Sequence, residues 1–209
     1  MTQVFAILLA AGRSRRMGAL KPLLPFGENT VIRCCINNLY AGGVHQVVLV
    51  LGHRAEDVRA HVADLDLRFA LNSNPESEMS DSIICGLTQI GPASGAVLIM
   101  PADYPAVGPE VINLLITEWE RGSRLIIPEH CGQGGHPVLI DCSYRQELAN
   151  LDPQGGLRAF FVAHKSDVQR LPIASPYIAR DLDTWDDYCA LHQEIFRRPP
   201  QTSWPEERN

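Results

Sequence analysis

The chain has 209 residues, is 45% hydrophobic and 20% charged, and carries a formal net charge of −6. That is the composition of an ordinary globular domain long enough to bury a sizeable core. It argues against a protein that grips nucleic acid along a broad basic face, and no run reaches the roughly 18 uninterrupted apolar residues of a membrane span.

The chain starts MTQVFAILLAAGRSRR, an apolar run with no positive charge before it, so it reads as a strand rather than a leader. Further strands are predicted at residues 46–51, 67–71, 95–100, 123–128 and 136–140, after a first one at 3–8. Several are continuously apolar, as strands covered on both faces are. Between them, Thr30 can cap a helix whose face includes Ile32, Cys35, Ile36 and Leu39, with Gly42 and Gly43 ending it. Residues 54–63, 80–90, 109–121 and 185–196 also read as helices. This alternation predicts a three-layer α/β fold, a mostly parallel twisted sheet with helices on both faces. One domain is expected over residues 1–196, and the proline-rich tail 197–209 is expected to be flexible. The six cysteines lack CxxC spacing, which predicts reduced thiols in a cytoplasmic protein.

Ligands of such sheets bind where strands exit at their carboxyl ends, so the exit loops carry the chemistry. The first is LAAGRSRRMGALK, residues 9–21. Gly12 and Gly18 let the backbone turn and present N–H groups to an anion, while Arg13, Arg15, Arg16 and Lys21 can neutralise phosphate oxygens. Neither the GxxxxGK[ST] phosphate loop nor the dinucleotide GxGxxG is present, and Arg16 stands where a GxSxG elbow needs glycine. A solvated basic turn is the plain alternative.

Four later stretches add candidates. In NSNPESEMSDSIICGL, Ser80, Asp81 and Ser82 lie at a predicted helix start, where they could hold a nucleotide or simply cap the helix. In MPADYP, Asp103 leaves the end of an apolar strand; it could bind Mg²⁺ or cap a turn before Gly108. CGQGGHPVLI offers only Cys131 and His136 as metal ligands, too few for a zinc site, so its glycines read as a turn or a close approach to substrate. In ARDLDTWDDY, Asp181 and Asp183 share one face if the segment is extended, and Thr184 or Asp186 could cap the final helix.

Taken together, LAAGRSRRMG with Lys21, LLPFGENTVI, PADYP, NPESEMSDSI, GGHPVLI and DLDTWDDY resemble the nucleotidyltransferases of molybdenum cofactor maturation, in the MobA-like NTP transferase family. The resemblance runs from about residue 4 to residue 190, and LAAG with GHPVL resembles the cytidylyltransferase branch. It implies a Rossmann-like nucleotidyltransferase fold, and transfer of CMP from CTP to the phosphate of molybdopterin with release of pyrophosphate. Leu9, Ala10, Ala11, Gly12, Lys21, Ser80 and Ser82 would border the nucleotide, and Gly135, His136 and Pro137 the acceptor. Arg16, Lys21 and Asp103 would be catalytic, and Asp103 with Asp183, or Asp181, would hold Mg²⁺. A molybdenum enzyme could receive the product; no nucleic acid or membrane is implied. Two departures stand out: Glu78 replaces a glycine common in the family, and Trp185 replaces a proline, where little functional effect is expected. Guanylyl transfer, sugar- or alditol-phosphate transfer, and a non-catalytic cofactor chaperone are the rival readings.

Overall fold

The computed structural model describes residues 3–12, 16–74, 76–91 and 95–201. Arg13, Arg15 and the tail from residue 202 lie outside the described residues.

Strand β1 (Val4–Ala10) leads through a 3-10 turn at Lys21–Leu23 to the hairpin β2 (Pro25–Phe26) and β3 (Asn29–Thr30). Then come α1 (Val31–Ala41), β4 (Gln46–Leu51), α2 (Ala55–His61), β5 (Arg68–Leu71), α3 (Met79–Thr88), β6 (Ala96–Pro101) and α4 (Pro109–Glu120). The second half holds β7 (Leu125–His130), β8 (Gln133–Gly134), β9 (Val138–Asp141), α5 (Arg145–Leu148), α6 (Gly156–Ala163), β10 (Val168–Pro172) and α7 (Trp185–Phe196). The main sheet runs β10-β7-β9-β6-β1-β4-β5, with β8 paired to β7.

The expected three-layer α/β fold is present. β1 pairs in parallel with both β4 and β6, β4 with β5, and β10 with β7. β9 is the antiparallel insertion between β6 and β7. Side chains of β1 alternate between two cores, as the period of two in a strand requires. Ala6, Leu8 and Ala10 join Ile36 and Leu39 of α1 and Ile112 and Leu115 of α4. Phe5, Ile7 and Leu9 join Ile83 and Leu87 of α3 and Phe160 of α6. Both faces are covered, which is why β1, β4 and β6 are apolar without interruption. Each fully buried Ile or Leu contributes roughly 1.5–3 kcal/mol.

A third core lies under the loop after β1. Met17, Leu24 and Phe26 pack with Val31, Leu182, Tyr188 and Leu191. It fastens the chain's first loop to its last helix. Here Trp185 does more than start a helix, because its indole N–H donates to the Met17 carbonyl at 2.9 Å. The buried His192 stands between Phe26 and Phe196, and its Nδ1 lies 2.9 Å from the Arg198 carbonyl.

Two capping assignments differ from the sequence reading. Thr30 occupies the cap position of α1, but its hydroxyl makes no hydrogen bond to the helix. The helix starts from the hairpin instead, where the Val31 N–H donates to the Leu24 carbonyl. For α7 the open choice resolves to Thr184, whose side chain accepts from the Asp187 N–H. Asp187 returns the contact at the Thr184 N–H, forming a reciprocal cap.

Candidate active site

The parallel run β4-β1-β6 places three strand exits on one edge. The Ala102 N–H donates to the Leu9 carbonyl at 2.9 Å, locking the two exits together. On the other side Gly52 lies so close that a Cβ there would meet the Ala11 carbonyl oxygen at 2.6 Å. Only glycine lets the β4 exit support residue 11 this closely. Gly52 escaped the sequence reading because one glycine after a strand gives no motif.

A cleft of about 580 Å³ opens at this edge. Of the residues predicted to bind or act, Leu9, Ala10, Ala11, Gly12, Arg16, Lys21, Ser82, Asp103 and Asp183 line it. Ser80 does not; it is buried, its hydroxyl without a hydrogen-bond partner among the described residues. The far wall adds Glu78 and also Glu76, Ser77 and Met79, the last three missed as binding candidates. Asn72 organises that wall, donating from Nδ2 to the hydroxyls of both Ser77 and Ser82 at 2.9 Å. Glu78, the departure from the family pattern, sits at the start of α3, where its backbone N–H donates to the Asp81 carboxylate.

Charge concentrates on the opposite wall. Lys21 Nζ lies 3.0 Å from Asp183 Oδ1 and 3.6 Å from Asp103 Oδ2, and its side chain is only 13% exposed. Arg16 Nη1 meets the other oxygen of Asp183 at 2.6 Å. Lys21 is fixed at its backbone by the 3-10 turn, where its carbonyl accepts from the Leu24 N–H. The segment 181–183 is pinned in turn, because the Leu182 N–H donates to the Asp103 carbonyl at 3.1 Å. Leu182 points into the third core, so Asp181 and Asp183 face away from it together.

The result is a trio of carboxylates. Asp103, Asp181 and Asp183 each offer an oxygen, all within 4.8 Å of one another. Burial pushes the Asp103 carboxyl above its ordinary pKa; Lys21 opposes this, and Asp181 and Asp183 add to it. Asp183 is held below its ordinary value, first by the Lys21 hydrogen bond. Asp103 Oδ1 is buried and has no hydrogen-bond partner among the described residues. Buried carboxylate oxygens are normally satisfied, and a bound cation would satisfy this one. The residues present therefore suit a hard divalent ion, which prefers carboxylate, phosphate and water oxygens. With Lys21 and Arg16 alongside, the arrangement can neutralise a polyphosphate and hold it over the strand exits.

Gly135, His136 and Pro137 do not line this cleft. The His136 N–H donates to the Ile178 carbonyl at 2.8 Å, and its ring packs edge-on against Tyr104 with centroids 5.2 Å apart. A Cβ at Gly135 would lie 2.1 Å from the Ile178 carbonyl oxygen, so glycine is needed for this close passage. The stretch adjoins the site through Tyr104, the neighbour of Asp103, and through the segment leading to Asp181.

Burial lowers the His136 pKa to about 4, against a hydrogen bond to Ile99 that works to raise it. The unfolded chain takes up this proton near pH 6.5 and the folded one only near 4. Stability from this group is therefore complete above pH 6.5 and falls as pH drops towards 4, by about 2–3 kcal/mol. Denaturant unfolding at pH 7.5 and 4.5 should show the loss in the wild type and a smaller loss in His136→Gln. An equal loss in both proteins would contradict it.

Residues 6–168 match the family of the MobA-like NTP transferase domain. The chain belongs to this family. Two relatives align along nearly all of it. Nicotine blue oxidoreductase of Paenarthrobacter nicotinovorans is 27% identical over 197 residues, 90% of this chain and 96% of that protein. Molybdenum cofactor cytidylyltransferase of Escherichia coli K12 is 24% identical over 196 residues, 92% and 97% of the two chains. Among solved structures, Rv0371c of Mycobacterium tuberculosis H37Rv is 28% identical with a TM-score of 0.82, covering 92% of this chain and 98% of that one. A second crystal structure of Rv0371c is a complex with manganese, at 26% identity and a TM-score of 0.76 over 92% and 99% of the two chains. The chain is a nucleotidyltransferase of the MobA-like type. Among the described residues no helix is long and apolar enough to cross a membrane.

Proposed function

We propose that this MobA-like protein transfers CMP from CTP to the terminal phosphate of a molybdopterin-type acceptor, releasing pyrophosphate. The observation that supports it best is the linked set Asp103, Lys21, Asp183 and Arg16 at the mouth of a strand-exit cleft. Such a set suits a reaction whose main difficulty is charge. The attacking phosphate is already an anion, so positioning and neutralisation matter more than a general base.

In this reading the backbone of Leu9 to Gly12 borders base and ribose, and Ser82 closes the pocket under the direction of Asn72. Lys21 and Arg16 grip the triphosphate and stabilise the departing pyrophosphate. Asp103 and Asp183 hold Mg²⁺, with Asp181 near enough to join them. When bound, Mg²⁺ supplies charge neutralisation at the phosphate oxygens. The acceptor approaches over Tyr104 from the side of Gly135, His136 and Pro137. Manganese in a structure of Rv0371c and the name of the Escherichia coli relative support the metal and the substrate class.

Calorimetric titration of CTP, GTP and ATP in the presence of Mg²⁺ tests the base. CTP should bind at least about tenfold more tightly, a difference of about 1.4 kcal/mol. A GTP preference would move the protein to guanylyl transfer.

A further inference from the structure

The carboxylate site is already occupied by the protein's own charges. Lys21 Nζ spans the gap between Asp183 Oδ1 and Asp103 Oδ2, at 3.0 and 3.6 Å. Arg16 takes the second oxygen of Asp183 at 2.6 Å. Both oxygens of Asp183, and one of Asp103, thus face a cation. A divalent ion needs those oxygens at bond distance, and it would have to enter beside an ammonium with little water around it to screen the repulsion. We infer that Lys21 is a placeholder cation: it closes the carboxylate site in the nucleotide-free protein and leaves it when a triphosphate arrives.

The chemistry of the two partners makes the exchange favourable. A triphosphate brings several anionic oxygens to Lys21 and Arg16, against the carboxylates of Asp183 and Asp103 that hold them without it. The Lys21 backbone is held by the 3-10 turn, so only its flexible four-carbon stem has to swing. Once it does, Asp183 and Asp103 are freed together beside the phosphates. Nucleotide and divalent cation then promote each other's binding by the same factor, as linkage requires. The device prevents a highly acidic trio from trapping metal when no substrate is present. It explains why a cleft for an anionic substrate can contain Asp103, Asp181 and Asp183 without repelling it.

This inference rests on the proposed metal role of Asp103 and Asp183, and the test separates the two. Mn²⁺ binding to the full chain is measured by electron paramagnetic resonance of the free ion, with and without a non-hydrolysable CTP analogue. The proteins are wild type, Lys21→Met, Asp103→Asn, and the double variant, each shown to be folded by its melting curve. Without nucleotide, Lys21→Met should bind Mn²⁺ on the order of tenfold to a hundredfold more tightly than wild type. Adding Asp103→Asn should erase the gain, and the analogue should raise Mn²⁺ affinity far more in wild type than in Lys21→Met. If Lys21→Met binds no more tightly, while Asp103→Asn still weakens Mn²⁺ binding to the nucleotide-bound protein, the placeholder role is overturned and the metal role stands. If Asp103→Asn leaves Mn²⁺ binding to the nucleotide-bound protein unchanged, both fall.

Discussion

Asp103→Ala should abolish nucleotidyl transfer, lowering turnover by about 10³-fold or more, while the protein stays folded. The side chain is in the cleft rather than in either face of the sheet core, so its removal leaves no apolar cavity. Its carboxyl is already unfavourably buried, as its raised pKa shows. Lys21 keeps a partner in Asp183, so no buried ammonium is stranded. The melting temperature should therefore stay within a few degrees of wild type. What is lost is the carboxylate whose buried oxygen has no hydrogen-bond partner among the described residues, and with it the proposed metal site. Turnover retained in the presence of Mg²⁺ would refute the assignment.

Lys21→Ala should carry the next largest effect. A charge-assisted contact to phosphate is worth about 1.5–3 kcal/mol, so kcat/KM for nucleotide should fall by roughly 10- to 150-fold. Arg16 cannot substitute fully, because it is 72% exposed and approaches from the solvent side. Steady-state kinetics with varied nucleotide would show the effect, and an unchanged kcat/KM would remove Lys21 from the mechanism. The placeholder role adds a distinguishing signature: the same loss of activity should accompany a gain in metal affinity.

The sheet centre was legible because β1, β4 and β6 are covered on both faces and read as unbroken apolar runs. The edge was not. Val168–Pro172 is only half-buried, mixes polar with apolar residues and ends in proline, so nothing in its pattern announces β10. Helix α6 begins at a pair of glycines, which read as a loop. The strand at 136–140 was expected, but a run as short as Val138–Asp141 does not reveal direction, so the antiparallel course of β9 was hidden.

For the cleft, side-chain chemistry was the guide. Strand-exit chemistry raised Arg13, Arg15, Arg16, Lys21, Asp103, Asp181 and Asp183, each beside a plain structural alternative, and the family resemblance chose Arg16, Lys21, Asp103 and Asp183 among them. Asp181 and Asp183 could not be ranked from spacing alone, and the structure shows why: both belong to one trio, although only Asp183 meets Lys21 and Arg16. Residues that act by shape or by holding others were missed. Gly52 matters through a close backbone approach, and Asn72 through two serine hydroxyls brought to it by folding. Trp185 binds a carbonyl 168 residues away, a contact that a local reading of a helix start cannot contain.

Pyrophosphate release from CTP, with molybdopterin as acceptor and Mg²⁺ present, is the decisive measurement. The account predicts release that depends on the acceptor, matches the amount of cytidine dinucleotide formed, and disappears in Asp103→Ala. Cofactor binding with no pyrophosphate released from CTP, GTP or ATP would contradict it and leave a chaperone that keeps the cleft without the reaction.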